Sequence, residues 1–145
     1  MSKHSKVRVY PFPGSTTRDL KDHVLPLLRR QRDEIIVHVG TNSLQESPSA
    51  EACANEIAEL ASLNNSHSTK VAVSSLLQRN DRTELKDMVD EVNRNLESLC
   101  KRNNWRFIKH LNIKANEHLN RGRLHLNREG NKLFATNFIN YIKSK

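Results

Sequence analysis

Apolar residues along this chain fall into two patterns, short continuous runs and longer stretches with helical spacing. The continuous runs predict buried strands, and apolar residues three or four positions apart predict helices. We expect strands at 7–10, 34–39, 70–74 and 105–108. We expect helices at about 15–30, 49–63, 84–102 and 128–142. Strands and helices in alternation are typical of a parallel sheet covered by helices, so the pattern predicts a single α/β domain over residues 1–145.

Capping residues and proline indicate where these elements begin and end. Ser49 can accept a backbone hydrogen bond as a helix N-cap, and Pro26 is expected to kink or shorten the first helix. Residues 40–48 are predicted to be a loop, and 109–126 an irregular polar segment. Because long loops after the carboxyl end of a strand often carry function, the second segment is a candidate for the functional site.

The charge of the chain suggests an anionic partner. There are 24 Lys and Arg against 16 Asp and Glu, for a formal net charge of +8, which would attract RNA or other polyanions. The basic residues form only short clusters, such as Arg121 with Arg123, which are also ordinary for a solvated surface. An aromatic content of 5% gives little support to a base-stacking platform.

Cysteine usage and the amino-terminal residues indicate a reducing, cytoplasmic setting. Only Cys53 and Cys100 are present and they form no CxxC pair, so neither a disulfide framework nor a cysteine-rich zinc site is predicted. Residues 1–6 are charged without an apolar core, and no run reaches the ~20 apolar residues of a membrane span. We expect no membrane association, and we identify no metal or cofactor motif.

Three residues fall where the predicted sheet would open into loops. Gly14 follows the first strand, Asn42 the second, and His125 precedes the last helix. The Gly14 N–H and the Asn42 amide could stabilise an oxyanion, and His125 could act as a general base toward a hydroxyl nucleophile. Each also has an ordinary interpretation, as a turn glycine, an Asx-turn residue and a polar loop residue. Together in this order they suggest an acyl-transfer site.

These residues lie in three blocks that resemble the SGNH or GDSL-type hydrolases. Pro13-Gly14-Ser15-Thr16-Thr17 is similar to the family's oxyanion-glycine block, and Val39-Gly40-Thr41-Asn42 to its oxyanion-asparagine block. Leu124-His125-Leu126-Asn127-Arg128-Glu129-Gly130 is similar to its catalytic-histidine block. The resemblance is closest to SGNH-like domains of animal retroelement proteins. It implies a three-layer, flavodoxin-like parallel sheet and the hydrolysis of a small ester.

The chain departs from the family in two places. The family's nucleophilic serine lies in a Gly-Asp-Ser block on the first strand of the fold, upstream of the blocks found here, so we expect an amino-terminally truncated sheet that lacks this strand. Its neighbours would then be about 10 Å apart, with unpaired backbone groups. The family also commonly has an Asp three residues before the histidine, where this chain has Gly122. Ser15 and Ser43 each follow an oxyanion-type residue and are poor substitutes for the nucleophile.

The sequence therefore leaves two functions open. The first is an SGNH-type esterase domain that is inactive in this chain because its nucleophile is missing. The alternative is a degenerate SGNH domain that acts as a basic RNA-binding or interaction module, as the resemblance to Oskar-type germ-plasm proteins implies.

Overall fold

The structure is a computed structural model, and it describes residues 8, 20, 33–39, 42–63 and 69–144. The strand predicted at 7–10 and the helix predicted at 15–30 lie outside this part of the chain, apart from Arg8 and Leu20. The expected gap beside the first strand also lies outside it.

The described strands form one parallel sheet. They are β1 (Glu34–Val37), β2 (Lys70–Ser74) and β3 (Arg106–Ile108), in the order β1-β2-β3. Ile35 is paired with Val71, and Val73 with Phe107. The prediction of these strands is confirmed, although β1 ends two residues before the predicted Val39. The two residues that follow β1 leave the ladder, and His38 instead makes side-chain contacts that are described below.

Five helices accompany the sheet in the described residues. They are α1 (Asn42–Glu46), α2 (Ala50–Ser62), α3 (Thr83–Asn103), α4 (Ala115–His118) and α5 (Arg128–Lys143). The three long helices agree with the predictions to within one or two residues. The prediction of a loop over 40–48 was wrong, because α1 lies within it, and α4 interrupts the segment predicted to be irregular. Helices of four or five residues have too few turns to show an apolar period and depend on tertiary contacts.

The start of α2 confirms the predicted cap. The Ser49 backbone is extended, and its hydroxyl accepts a hydrogen bond from the Ala52 N–H at 3.0 Å. This bond satisfies one of the donors that a helix leaves open at its first turn. The long helix α3 is capped at its carboxyl end. Asn104 adopts a left-handed conformation there (φ 58°), and its N–H donates to the carbonyls of Cys100 and Lys101.

Two helices and one face of the sheet enclose the main apolar core. Alternate residues of β2 point to opposite faces, and Val71 and Val73 belong to the core cluster with α2 and α3. Buried core members include Cys53, Ala54, Ile57, Leu60, Leu85, Val89, Val92, Leu96 and Cys100. Both cysteines are free, and burial raises the pKa of each thiol, for Cys100 to about 11. Both thiols are packing residues of the core.

The opposite face of the sheet carries α5, which completes three layers. Phe134 and Phe138 of α5 lie beside the rings of His38 and His110 at the ends of β1 and β3. The Tyr141 hydroxyl donates a hydrogen bond to the Glu34 carboxylate at 2.5 Å. Six residues of α5 are half-buried and nine are exposed, and none belongs to the buried core between α2, α3 and the sheet. The attachment of α5 is therefore aromatic and polar in character.

No helix in the described ranges has the length and apolar character needed to cross a membrane.

Candidate active site

His125 lies on a tight turn between α4 and α5, which we call the His125 turn (residues 120–125). The Asn120 N–H donates to the His125 carbonyl at 2.8 Å, and the Arg123 N–H donates to the Asn120 carbonyl at 3.0 Å. The Gly122 N–H donates to the Asn120 side-chain oxygen at 3.0 Å. These bonds close the turn on itself, so a defined backbone carries the exposed His125 side chain.

The start of α5 is packed directly against α4, immediately after the His125 turn. Asn127 is the N-cap: its side-chain oxygen accepts from the Gly130 N–H, and its amide nitrogen donates to the Glu117 carbonyl, both at 2.8 Å. Its backbone N–H donates to the His118 carbonyl at 2.8 Å. A Cβ atom on Gly130 would lie 2.5 Å from that same carbonyl oxygen, so only glycine fits there without a shift.

A second contact fastens the His125 turn to the sheet. The loop that follows the carboxyl end of β2 places the Asn80 N–H 2.7 Å from the Arg123 carbonyl, to which it donates. Arg123 has a left-handed backbone (φ 58°), and in this conformation its carbonyl accepts the hydrogen bond from Asn80. The His125 turn therefore lies at the edge where parallel strands end, which is where ligands bind in open α/β sheets.

An ion pair between the buried Arg79 and the more exposed Asp81 fixes the conformation of this β2–α3 loop. Arg79 is only 1% exposed, and its guanidinium donates two hydrogen bonds to the Asp81 carboxylate, at 2.7 and 2.6 Å. These bonds lower the pKa of Asp81 to about 2. The Gln78 side chain accepts from the Arg79 N–H at 3.0 Å and donates to Asp90 at 3.1 Å. The sequence identified this segment only as a polar stretch, and nothing in it signals a buried arginine.

The other two predicted site residues are less fully placed. Asn42 is the first residue of α1, a helix that begins close to the carboxyl end of β1, and only its backbone is described. Gly14 lies outside the described residues. That the Asn42 amide and the Gly14 N–H lie close to His125 stays a prediction. Gly122, at the position where the family commonly has Asp, gives the His125 ring no carboxylate partner from that position.

Comparison with known protein families identifies the chain. The sequence pattern of the GDSL-like lipase/acylhydrolase family matches residues 2–133, which is most of the chain. The chain is a member of this GDSL family. A search among curated proteins gives no significant match.

Several solved structures share the fold of this GDSL-family chain. The lipolytic G-D-S-L protein from Veillonella parvula DSM 2008 has a TM-score of 0.73 at 18% identity, over 88% of this chain and 74% of that one. The lipase/acylhydrolase from Enterococcus faecalis has a TM-score of 0.73 at 18% identity, over 90% and 72%. The acetylxylan esterase Axe2 from Geobacillus stearothermophilus has a TM-score of 0.70 at 14% identity, over 88% and 67%.

These likenesses confirm the predicted α/β fold of the SGNH hydrolase type. At such low identity they show the fold and nothing further. The closer resemblance to animal retroelement domains, the amino-terminal truncation and the roles of Gly14, Asn42 and His125 stay predictions.

This GDSL domain also contains a chain of hydrogen bonds that the sequence did not reveal, which we call the polar joint (His38, Ser74, His110, Asn137). The Asn137 amide nitrogen lies 2.9 Å from His110 Nδ1, and because it can only donate, the proton of neutral His110 lies on Nε2. Nε2 donates to the Ser74 hydroxyl at 2.6 Å, and that hydroxyl donates to His38 Nδ1 at 3.0 Å. The polar joint thus links all three strand ends to α5.

A serine between two histidines resembles a nucleophile and its base, but here the arrangement is structural. Ser74 is 2% exposed and His110 6% exposed, and the rings of Phe134 and Phe138 lie 4.9 and 5.3 Å from that of His110. His38 accepts the Ser74 proton as a general base would, but a hydroxyl this well covered leaves no space for an ester carbonyl to approach it. Ser74 is therefore a bridging residue in a covered joint.

One signal in the sequence could have located the polar joint. His38 follows β1 directly, Ser74 ends β2, and His110 comes two residues after β3. Because the carboxyl ends of parallel strands meet at one edge, polar residues at these three positions become neighbours. The pairing of His110 with Asn137, 27 residues further along, depends on how α5 docks.

The contact between α4 and α5 predicts the effect of filling Gly130. Gly130→Ala should destabilise the fold by about 1–3 kcal/mol, because the new Cβ meets backbone and the gain in helix propensity, about 1 kcal/mol, is smaller than this strain. Gly122→Ala is the control, since its Cβ would lie 3.4 Å from the nearest atom, Asn120 Oδ1. Urea denaturation measures both, and a Gly130→Ala protein as stable as the wild type would contradict the described packing.

The polar joint predicts a loss of stability in mild acid. Burial lowers the pKa of His38 and of His110 from 6.5 to about 4, and for His38 the neighbouring His110 adds to the effect. Since the unfolded chain binds these protons first, the stabilisation is complete above about pH 6.5 and is lost as the pH falls toward 4. We expect the free energy of unfolding to fall by roughly 2–4 kcal/mol over this window.

Denaturation at several pH values tests this expectation. The control is the double variant His38→Gln/His110→Gln, whose amides can still hydrogen-bond to Ser74 but do not titrate. Its stability should change less over the same pH window. An equal loss in the wild type and the double variant would mean that other groups cause the acid sensitivity.

Proposed function

We propose that this chain is a GDSL-type ester hydrolase domain that retains the histidine and oxyanion positions of the family and has little or no esterase activity by itself. The observation that carries this proposal is the His125 turn. It holds an exposed imidazole at the carboxyl edge of a parallel sheet, fastened there by the Asn80–Arg123 hydrogen bond.

In the complete reaction, these residues would have separate roles. A hydroxyl nucleophile loses its proton to the His125 ring as it attacks the ester carbonyl, and the negative charge moves to the carbonyl oxygen. The Asn42 amide and the Gly14 N–H would donate hydrogen bonds to that oxyanion. His125 then returns the proton to the departing alkoxide, and the acyl group is released by water in a second, similar step.

Two features support a low activity of the chain itself. The family's Gly-Asp-Ser block is absent from residues 1–145, Ser15 and Ser43 each follow an oxyanion-type residue, and Ser74 is covered in the polar joint. In addition, Gly122 stands where a carboxylate would orient the imidazole and stabilise its protonated form. Loss of such a carboxylate alone can reduce kcat by about 10⁴ in serine hydrolases.

Hydrolysis of p-nitrophenyl acetate by the purified chain tests this proposal. We expect the wild type and His125→Ala to give the same rate to within about twofold, because an exposed histidine without a nucleophile adds only the background of free imidazole. The control variant is Arg102→Gln, because Arg102 is an exposed residue like His125. A change of His118 would not be a matched control, since that histidine is buried. Turnover that is abolished by His125→Ala and kept by Arg102→Gln would show that the inactive assignment is wrong.

RNA binding is the second candidate function. It is favoured by the net charge of +8 and by Arg121, Arg123 and Arg128, which are exposed around the His125 turn. None of the related structures named above carries an RNA-binding description.

A salt titration with a single-stranded oligoribonucleotide tests this second function. If the three arginines neutralise three phosphates, the affinity should fall about tenfold or more between about 0.05 and 0.2 M salt. Absence of binding at the lower salt concentration would remove this candidate.

A further inference from the structure

Three arginines lie within four residues of the candidate histidine along the chain, in a segment that has no acidic residue. Arg121 and Arg123 lie on the His125 turn, Arg128 opens α5, and all three side chains are exposed. Residues 119–128 contain neither Asp nor Glu. Positive charge is therefore concentrated within a few residues of the His125 imidazole.

Two basic side chains elsewhere in the described residues are paired with acidic ones. Arg82 forms an ion pair with Glu84 at 2.7 Å, and Lys109 forms one with Glu97 at 2.7 Å. In the ranges that the structure describes, Arg121, Arg123 and Arg128 have no such partner. Within the described residues, the positive charge of Arg121, Arg123 and Arg128 is thus not neutralised by an ion pair, as it is for Arg82 and Lys109.

Arg128 occupies a position that is electrostatically unfavourable within the fold itself. It lies in the first turn of α5, where the helix dipole concentrates positive partial charge and acidic residues are favoured. Glu129 supplies one negative charge in the same turn. A bound anion would relieve the remaining repulsion between Arg128, the helix end and the two arginines of the turn.

The His125 turn is also held in one conformation before any ligand arrives. Its internal hydrogen bonds close it, and the Asn80 N–H fastens it to the β2–α3 loop at 2.7 Å. The Arg79–Asp81 ion pair, in which Arg79 is buried, fixes that loop in turn. A ligand that binds to a turn already ordered loses less conformational entropy than one that must order it.

We propose that the His125 turn is an anion-recognition element and that the ester acted on or bound at this site carries a carboxylate or phosphate group. Arg123 is two residues from His125 and Arg121 four, so the charged group would be recognised on the same turn that presents the imidazole to the ester. This inference rests on the proposed assignment of His125 to an ester site.

Two small esters that differ in charge provide the test. Monomethyl succinate carries one carboxylate and one methyl ester, whereas dimethyl succinate carries two methyl esters and no charge. Each is titrated into the ¹⁵N-labelled full chain at constant ionic strength, and the backbone amide shifts are followed by NMR. We expect monomethyl succinate to shift the amides of residues 120–125 with a Kd of about 1–10 mM, and dimethyl succinate to leave them unchanged.

Single-charge variants assign the effect to the turn. Arg121→Gln and Arg123→Gln should each weaken monomethyl succinate binding about threefold, and the double variant about tenfold. Arg102→Gln, which removes an exposed charge at the end of α3, should have no effect. An equal loss in Arg102→Gln would mean that net charge alone attracts the ligand and would overturn the proposal, as would equal shifts with the two esters.

A variant of the fastening loop tests the role of preorganisation. Asp81→Asn removes the charge that holds Arg79 and should weaken binding while the rest of the amide spectrum stays dispersed. The matched control is Glu84→Gln, because the exposed Arg82–Glu84 pair has the same spacing in sequence. If Asp81→Asn and Glu84→Gln bind monomethyl succinate equally well, the ordered turn is not required for binding. The Arg121→Gln/Arg123→Gln double variant then decides whether the anion-recognition proposal holds.

Three further outcomes relate this proposal to the two functions proposed above. A single-stranded oligoribonucleotide that shifts residues 120–125 when monomethyl succinate does not would reassign the arginines to a polyanion and overturn the small-ester proposal. Binding of monomethyl succinate without turnover agrees with both proposals. If the chain turns over esters, the inactive assignment fails, and a kcat/KM at least about tenfold higher for the charged ester would still support anion recognition.

Discussion

The position of the candidate site depends on how α5 is held against the sheet. This attachment is made by the polar joint, in which Asn137, His110, Ser74 and His38 are joined by successive hydrogen bonds of 2.9, 2.6 and 3.0 Å. A buried polar group that lacks a hydrogen-bond partner costs folding free energy. A fully bonded chain of this kind therefore favours one position of α5 on the sheet over slightly shifted positions that would break its bonds. Apolar packing alone would fix the position of α5 less precisely.

The consequences of that docking reach His125 through backbone contacts. With α5 in place, Gly130 lies against the His118 carbonyl and Asn127 caps the helix while bonding to α4. The His125 turn then meets the loop after β2 through Asn80 and Arg123. The histidine is thus held from both sides, by a helix start and by a strand-end loop. This is the usual way in which an α/β fold places reactive groups on loops with a rigid scaffold behind them.

The polar joint and the His125 turn divide structural and chemical roles among the histidines of this chain. His38 and His110 are kept neutral by burial and serve as hydrogen-bonding bridges. His125 is exposed, and the neighbouring Arg121, Arg123 and Arg128 form no ion pair within the described residues. The sequence block around His125 singled out that histidine as a candidate base, whereas the bridging role of His38 and His110 is visible only in the structure.

Much of the fold followed from local patterns. The continuous apolar runs predicted β1, β2 and β3, and the helical spacing of residues such as Leu85, Val89 and Leu96 predicted α3. Ser49 was correctly identified as a cap because its bond to Ala52 spans only three residues. The short helices α1 and α4 were missed because four or five residues carry no measurable period, so tertiary contacts decide whether such a segment is helical.

The sequence by itself determined the order of strands and helices, the apolar core and the motif that places this chain in the GDSL family. Each of these depends on residue type and on spacing of a few positions, which a linear chain displays directly. Only the tertiary structure decided that Arg79 is buried and paired with Asp81, that Ser74 bridges two histidines, and that Asn80 bonds to the turn of His125. These contacts join residues or elements whose proximity depends on how the helices dock on the sheet, and docking is determined by packing and hydrogen bonding in three dimensions.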